Sequence, residues 1–166
     1  METKSDIDWL KLIKGRCGFQ ESHIVPSNGS SGGLALFWQS GIKVEVLGSS
    51  VSHIDSIIDE GNNSARWRLT GFYGNPETSR RVESWQLLHS FSTVSPLPWV
   101  VIGYFNEIRL DSEKEGGVPR PKQQMARFNS VINSCGLQEV DFIGPKFTWL
   151  FQRNDGFKSE RGWTGL

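Results

Sequence analysis

Cysteine is scarce: Cys17 and Cys135 are the only two in 166 residues, and they stand in no CxxC spacing. A zinc site has no ligand pattern to rest on, and a disulfide framework has too few members. Free thiols fit a reducing intracellular compartment, nuclear or cytoplasmic. An excess of charge is lacking too, since Lys plus Arg and Asp plus Glu each number 18. A balanced chain has no long-range field to hold nucleic acid, so such a role would rest on a local patch or a metal. No apolar run approaches the roughly 18 residues of a membrane span. The opening METKSDIDWLKLIKG has no apolar core of the kind a signal peptide needs. What the chain does have is aromatic bulk. Seven Trp and ten Phe supply the buried area of one globular domain, although the apolar fraction is a modest 37%.

Apolar spacing over Ile7 to Ile13, with Gly15 after it, predicts a short amphipathic helix. Asn28 to Gly33 is a Gly/Ser turn that lacks GK[ST] and precedes a strand, so it is no phosphate loop. The runs Leu34–Trp38 and Ile42–Leu47 flank Gln39-Ser40-Gly41 and predict a hairpin. Val51–Ile58 and Ala65–Gly74 are two more strands, making the first half a β-meander. The rhythm then changes. Val82, Trp85, Leu88 and Phe91 predict a helix within Thr78 to Val94, and SPLPW ends it. Trp99–Ile102 is a buried strand, and RLDSEKEGGVPRPKQ is a polar loop. Pro121 opens a helix with Met125, Phe128, Ile132 and Cys135 on one face and Gly136 as its stop. Phe147–Gln152 is a last short strand. Antiparallel strands followed by helix, strand, helix and strand define an α/β class with mixed sheets.

No Ser/His/Asp triad is visible, because His23, His53 and His89 fall in unrelated places. His89 reads as a helix-surface residue, and His53 as a half-buried strand residue with local hydrogen bonds. Arg120, Lys122 and Arg127 are matched by Asp111, Glu113 and Glu115, which reads as a solvated loop. Polar groups end three apolar segments: Glu2-Thr3-Lys4, Phe72-Tyr73-Gly74-Asn75 and Gly103-Tyr104-Phe105-Asn106-Glu107. Strand ends gathered on one edge can bring a carboxylate, a phenol and an amide together, and hard oxygen ligands suit Mg²⁺.

The series METK, GGLALFW, SHID, WRLTGFYGNPE, PWVVIGYFNEI, GPKFTW and ER, in this order and spacing, resembles the endonuclease domain of LINE-type non-LTR retrotransposons, particularly plant ones. These belong to the endonuclease/exonuclease/phosphatase superfamily, with apurinic endonucleases and DNase I. The resemblance covers nearly all of Met1 to Arg161, leaving residues 162–166 as a divergent tail. It implies a DNase I-like four-layer α/β sandwich, two mixed sheets face to face with helices outside. It also implies Mg²⁺- or Mn²⁺-dependent cleavage of phosphodiester bonds, with DNA as partner and no membrane. By the same resemblance Glu2 binds the metal, Tyr73 lies near the phosphate, and Asn106 positions phosphate and water. The family's catalytic Asp falls on Tyr104.

A phenol is protonated at neutral pH and cannot replace a carboxylate as base or charged orienter. The resemblance further reads the chain as truncated at both ends, lacking an opening strand with its Asn and a closing Asp-His pair. Glu107 and Asp111 have no spacing that makes either a replacement ligand, and alternation would turn Glu107 away from Asn106. The expectation is a remnant phosphodiesterase domain, catalytically impaired, with metal binding weak or lost. Two alternatives stand beside it: an active Mg²⁺-dependent nuclease or phosphatase with a rewired site, and a noncatalytic binding module using its Trp/Phe surface. Missing strands would leave Val100, Ile102 and Leu69 exposed.

Overall fold

A computed structural model describes residues 7–28, 31–61, 64–141, 143, 147–152 and 158–162. The chain divides into two compact units, residues 1–73 with 95–104, and residues 74–94 with 105–166.

The first unit opens with helix α1 (Ile7–Arg16), which runs past Gly15 and buries Leu10. Two antiparallel strands follow, β1 (Glu21–Asn28) and β2 (Ser31–Trp38), paired from Glu21↔Trp38 to Asn28↔Ser31. The second sheet has four strands in the order β3-β4-β5-β6: β3 (Lys43–Ser50), β4 (His53–Asp59), β5 (Trp67–Tyr73) and β6 (Trp99–Tyr104). The meander expected from alternation is present as β3 to β5, all antiparallel. The expected hairpin between Leu34–Trp38 and Ile42–Leu47 is not: β2 pairs with β1, and Gln39–Gly41 leads into the other sheet. The reason is a strand that alternation did not reveal. ESHIVPSN carries a proline and mixed polar residues, yet it satisfies the β2 ladder and leaves β3 to pair with β4.

β6 lies parallel to β5, from Arg68↔Trp99 to Tyr73↔Tyr104. The two strands are joined by a long crossover that includes a helix, the usual connection between parallel neighbours. β6 is only half buried. Val101 is fully covered, whereas Val100 and Ile102 are 37% and 42% exposed.

One buried polar network ties β4, β5 and β6 together. Arg68 donates from Nε and Nη2 to the two carboxylate oxygens of Asp55, at 2.9 and 2.8 Å. Thr70 Oγ1 donates to Asp55 at 2.7 Å, and Trp99 Nε1 donates to Thr70 Oγ1 at 2.8 Å. The Arg68 guanidinium also lies 5.3 Å from the Trp99 ring centroid. On the opposite face Leu34, Ile54 and Tyr73 form an apolar cluster, with Val25, Leu36, Val46 and Tyr104 packed against it. The alternation of β5 sends Arg68 and Thr70 to one face and Leu69 and Tyr73 to the other.

The second unit contains α2 (Arg81–Phe91), β7 (Lys114–Gly116), α3 (Lys122–Ser134), β8 (Phe147–Gln152) and β9 (Lys158–Gly162). Its three strands pair antiparallel in the order β7-β9-β8, so the polar loop before α3 contributes a short strand. Trp85 of α2 stacks on Phe128 of α3 at 4.7 Å between centroids, and Phe105 meets Phe128 at 5.5 Å. Met125, Phe128 and Ile132 are buried as their spacing predicts, and α3 stops at Gly136 with Leu137 N–H bonded to Ile132 O. On α2 the buried face differs from the expected one. Val82 is 56% exposed, while Arg81, Ser84, Trp85 and Leu88 face inward.

Among the described residues no helix is long and apolar enough to cross a membrane. Removing one partner of the Asp55–Arg68 pair would leave a buried charge unmatched. Asp55→Ala is expected to lose about 3–5 kcal/mol of stability, read from urea unfolding by circular dichroism.

Candidate functional site

The C-terminal ends of β5 and β6 bring two of the expected site residues together. Tyr73 and Tyr104 are cross-strand partners in the parallel ladder. Tyr73 is buried, its N–H bonded to Ser52 O at 2.8 Å, and its side chain sits in the apolar cluster against which Tyr104 packs. Close approach of the two strands explains Gly103: a Cβ there would run into the Phe72 carbonyl.

Within the second unit the residues that follow these strands are also held tightly. A Cβ on Gly74 would collide with the Phe105 carbonyl. Asn106 is 8% exposed, has φ 60°, and donates from Nδ2 to Gly74 O at 2.7 Å. Asn75 N–H is held by Ser84 Oγ at 2.8 Å. Glu2 lies outside the described residues.

Glu107 is the centre of a second buried charge cluster. Its Oε2 accepts from Arg81 Nη1 at 2.6 Å, and its Oε1 accepts from Ile108 N–H at 3.1 Å. Arg120 Nε lies 2.8 Å from Oε1, a charge contact in which the N–H is not aimed at the oxygen. Arg81 also donates to the carbonyls of Asn75 and Pro76, at 3.3 and 3.2 Å. One carboxylate and one guanidinium therefore clamp the segment after Tyr73 to the segment after Tyr104. Sequence reasoning missed this clamp. Arg81 adjoins a residue that reads as apolar face, and its partner is 26 positions away.

Two expectations are corrected here. Glu107 was placed by strand alternation, but β6 ends at Tyr104 and Asn106 takes a left-handed conformation, so alternation does not reach it. Arg120 is not a solvated loop residue, since it pairs with Glu107 and its side chain is only 15% exposed. Glu113, one of the three acidic residues set against that basic group, accepts from the Arg109 and Leu110 N–H groups, both at 3.0 Å. Burial pushes the Glu113 carboxyl up against the opposing pull of those two bonds.

Among the described residues no group of three or more His, Cys, Asp and Glu could hold a metal ion. Phenols such as Tyr73 and Tyr104 are poor Mg²⁺ donors. Glu107 is already committed to two arginines. The described residues do not by themselves fit a divalent cation.

The fold is of the DNase I-like α/β class. No protein-family profile matches the chain, and no curated protein matches it. Among solved structures it is similar to the endonuclease domain of TRAS1, a telomere-specific non-LTR retrotransposon. The TM-score is 0.65 at 10% identity, over 87% of this chain and 65% of that one. The human Nocturnin catalytic domain with bound sulfate aligns at a TM-score of 0.46 and 14% identity, over 96% of this chain and 66% of that one. This chain therefore spans just under two thirds of either domain's length.

His53 behaves as a structural residue. Its Nδ1 lies 2.9 Å from Ser50 Oγ, and burial lowers its pKa below 6.5 against an opposing pull from Asp55. The folded state therefore binds the proton less readily than the unfolded one. The stability that His53 contributes is complete above about pH 6.5 and is lost as pH falls through its folded pKa. Urea unfolding at about pH 7.5 and about pH 5.5, on either side of the free imidazole value, is expected to show a smaller acid loss in His53→Gln than in the native chain.

Proposed function

We propose that this chain is a phosphodiesterase-type domain of the retroelement endonuclease kind, spanning residues 1–161, whose catalytic centre is impaired. The observation that carries the reading is Tyr104. It ends β6 directly after Gly103, in register with Tyr73, at the position where the sequence resemblance calls for the catalytic Asp. A fold shared with a retrotransposon endonuclease domain supports the general kind. The impairment is argued from side-chain chemistry: a phenol packed against an apolar cluster does not supply the charged carboxylate that would take a proton from water.

In this reading Tyr73 lies near the phosphate, Asn106 positions phosphate and water, and Glu2 is the carboxylate assigned to Mg²⁺ or Mn²⁺. DNA is the substrate class. The order and spacing of the sequence motifs support each of these assignments.

Nicking of supercoiled plasmid in the presence of Mg²⁺ or Mn²⁺ tests the proposal. Loss of a general base costs about 10²–10⁴ in rate, so in a chain extended at both ends by the segments the resemblance calls for, Tyr104→Asp is expected to nick faster than the Tyr104 form by at least the lower factor. Circular dichroism establishes that the variant is folded. Chelator-sensitive nicking by the native chain that Tyr104→Phe abolishes would overturn the proposal and make Tyr104 a working phenol.

A further inference from the structure

Helices α2 and α3 lie side by side and run in the same direction. Arg81 Nη1 donates to Gln124 Oε1 at 3.4 Å, Trp85 stacks on Phe128 at 4.7 Å, and Ser134 Oγ lies 3.5 Å from His89 Nδ1. A groove of about 980 Å³ runs between them, within the second unit. That volume falls in the range of small-molecule sites. Val82, Trp85, Pro121 and Val131 are its apolar lining, and Val82 is 56% exposed. The charges along the groove are unequal. Among the described residues Glu107 is the only acid that lines it, and that carboxylate is held by Arg81 and Arg120. Glu83, beside Val82 in sequence, is turned to Arg80. Arg127 lines the groove and is exposed, and among the described residues it has no ion-pair or hydrogen-bond partner. The amides of Gln86 on α2 and Gln123 on α3 are equally uncommitted among those residues.

We propose that this groove binds a small amphipathic anion, an apolar body that ends in a single carboxylate. The guanidinium fork of Arg127 takes the carboxylate, and Val82 and Val131 cover the apolar body. Three observations select this class. A ligand with an ammonium group would find no uncommitted carboxylate in the groove, because Glu107 already has its arginines. A uniformly polar ligand, such as a sugar, would leave Val82 and Val131 without an apolar partner. A nucleic-acid strand needs several phosphate contacts and open aromatic faces. Here Arg127 is the one unpaired guanidinium among the described residues that line the groove. Trp85, the aromatic among them, is 8% exposed and stacked on Phe128. Tyr73, Tyr104 and Asn106 do not line the groove, so this site stands apart from the strand-end chemistry.

Octanoate and its neutral counterpart octanamide are the probes, titrated into the whole chain while the valine methyl resonances are followed by NMR. Octanoate is expected to shift Val82 and Val131 saturably, and octanamide to bind about tenfold more weakly for want of a charge-assisted bond. Arg127→Gln is expected to raise the octanoate dissociation constant by about the same factor and to leave that of octanamide unchanged. Arg127→Lys, which keeps the charge, is expected to retain most of the affinity. A second measurement needs no variant: added salt should weaken octanoate binding and spare octanamide. Absence of saturable shifts with octanoate overturns the proposal. So do equal affinities for the two probes, shifts that miss Val82 and Val131, or native octanoate affinity in folded Arg127→Gln.

Discussion

A guanidinium with 1% exposure can exist in a sheet only if a carboxylate comes with it. Arg68 and Asp55 meet that condition through two parallel hydrogen bonds, and the rest of the first unit is arranged around them. Asp55 is on β4 and Arg68 on β5, so the pair fixes the register between those strands. Thr70 and Trp99 extend it to β6. Slippage of β5 by one residue would put Arg68 among the apolar side chains and Leu69 against the carboxylate. The ends of β5 and β6, where Tyr73 and Tyr104 meet, inherit their alignment from this network.

The second unit repeats the device for a different purpose. Glu107 and Arg81 do not set a strand register; they hold irregular backbone. Asn75, Pro76 and Ile108 each give a main-chain group to this pair. Segments outside helices and strands must satisfy their polar groups somewhere, and here side chains take the place of a ladder. Gly74, with no Cβ to intrude on Phe105, lets the two segments approach closely enough for Asn106 to reach a carbonyl.

Legibility in the sequence follows the range of the forces involved. The meander β3 to β5 and the helix α3 are written in local alternation and spacing, by residues such as Val44 and Val46, or Met125, Phe128 and Ile132. So are the stop at Gly136 and the half-buried His53, whereas Trp99–Ile102, read locally as a buried strand, is covered only in part, with Val100 and Ile102 exposed. β1 was illegible because its residues alternate poorly, and missing it gave β2 the wrong partner. The buried side of α2 was misjudged by one position. Arg81 faces inward to meet Glu107, a long-range charge contact that no local pattern encodes. At the site, the gathering of strand ends was legible in outline, and β5 and β6 do finish side by side at Tyr73 and Tyr104. The clamp around Glu107 was not, since a buried carboxylate and a surface one look alike in a sequence.

Asn106 has a backbone of its own to answer for. At φ 60° it occupies a region that bulky and β-branched residues avoid and that asparagine tolerates far better than most. Its amide then secures the turn by bonding Gly74 O. The fold thus has a reason to hold an asparagine here that owes nothing to a phosphate or a water. Asn106 therefore answers first to the backbone, and its presence at this turn is accounted for without any chemistry at the strand ends.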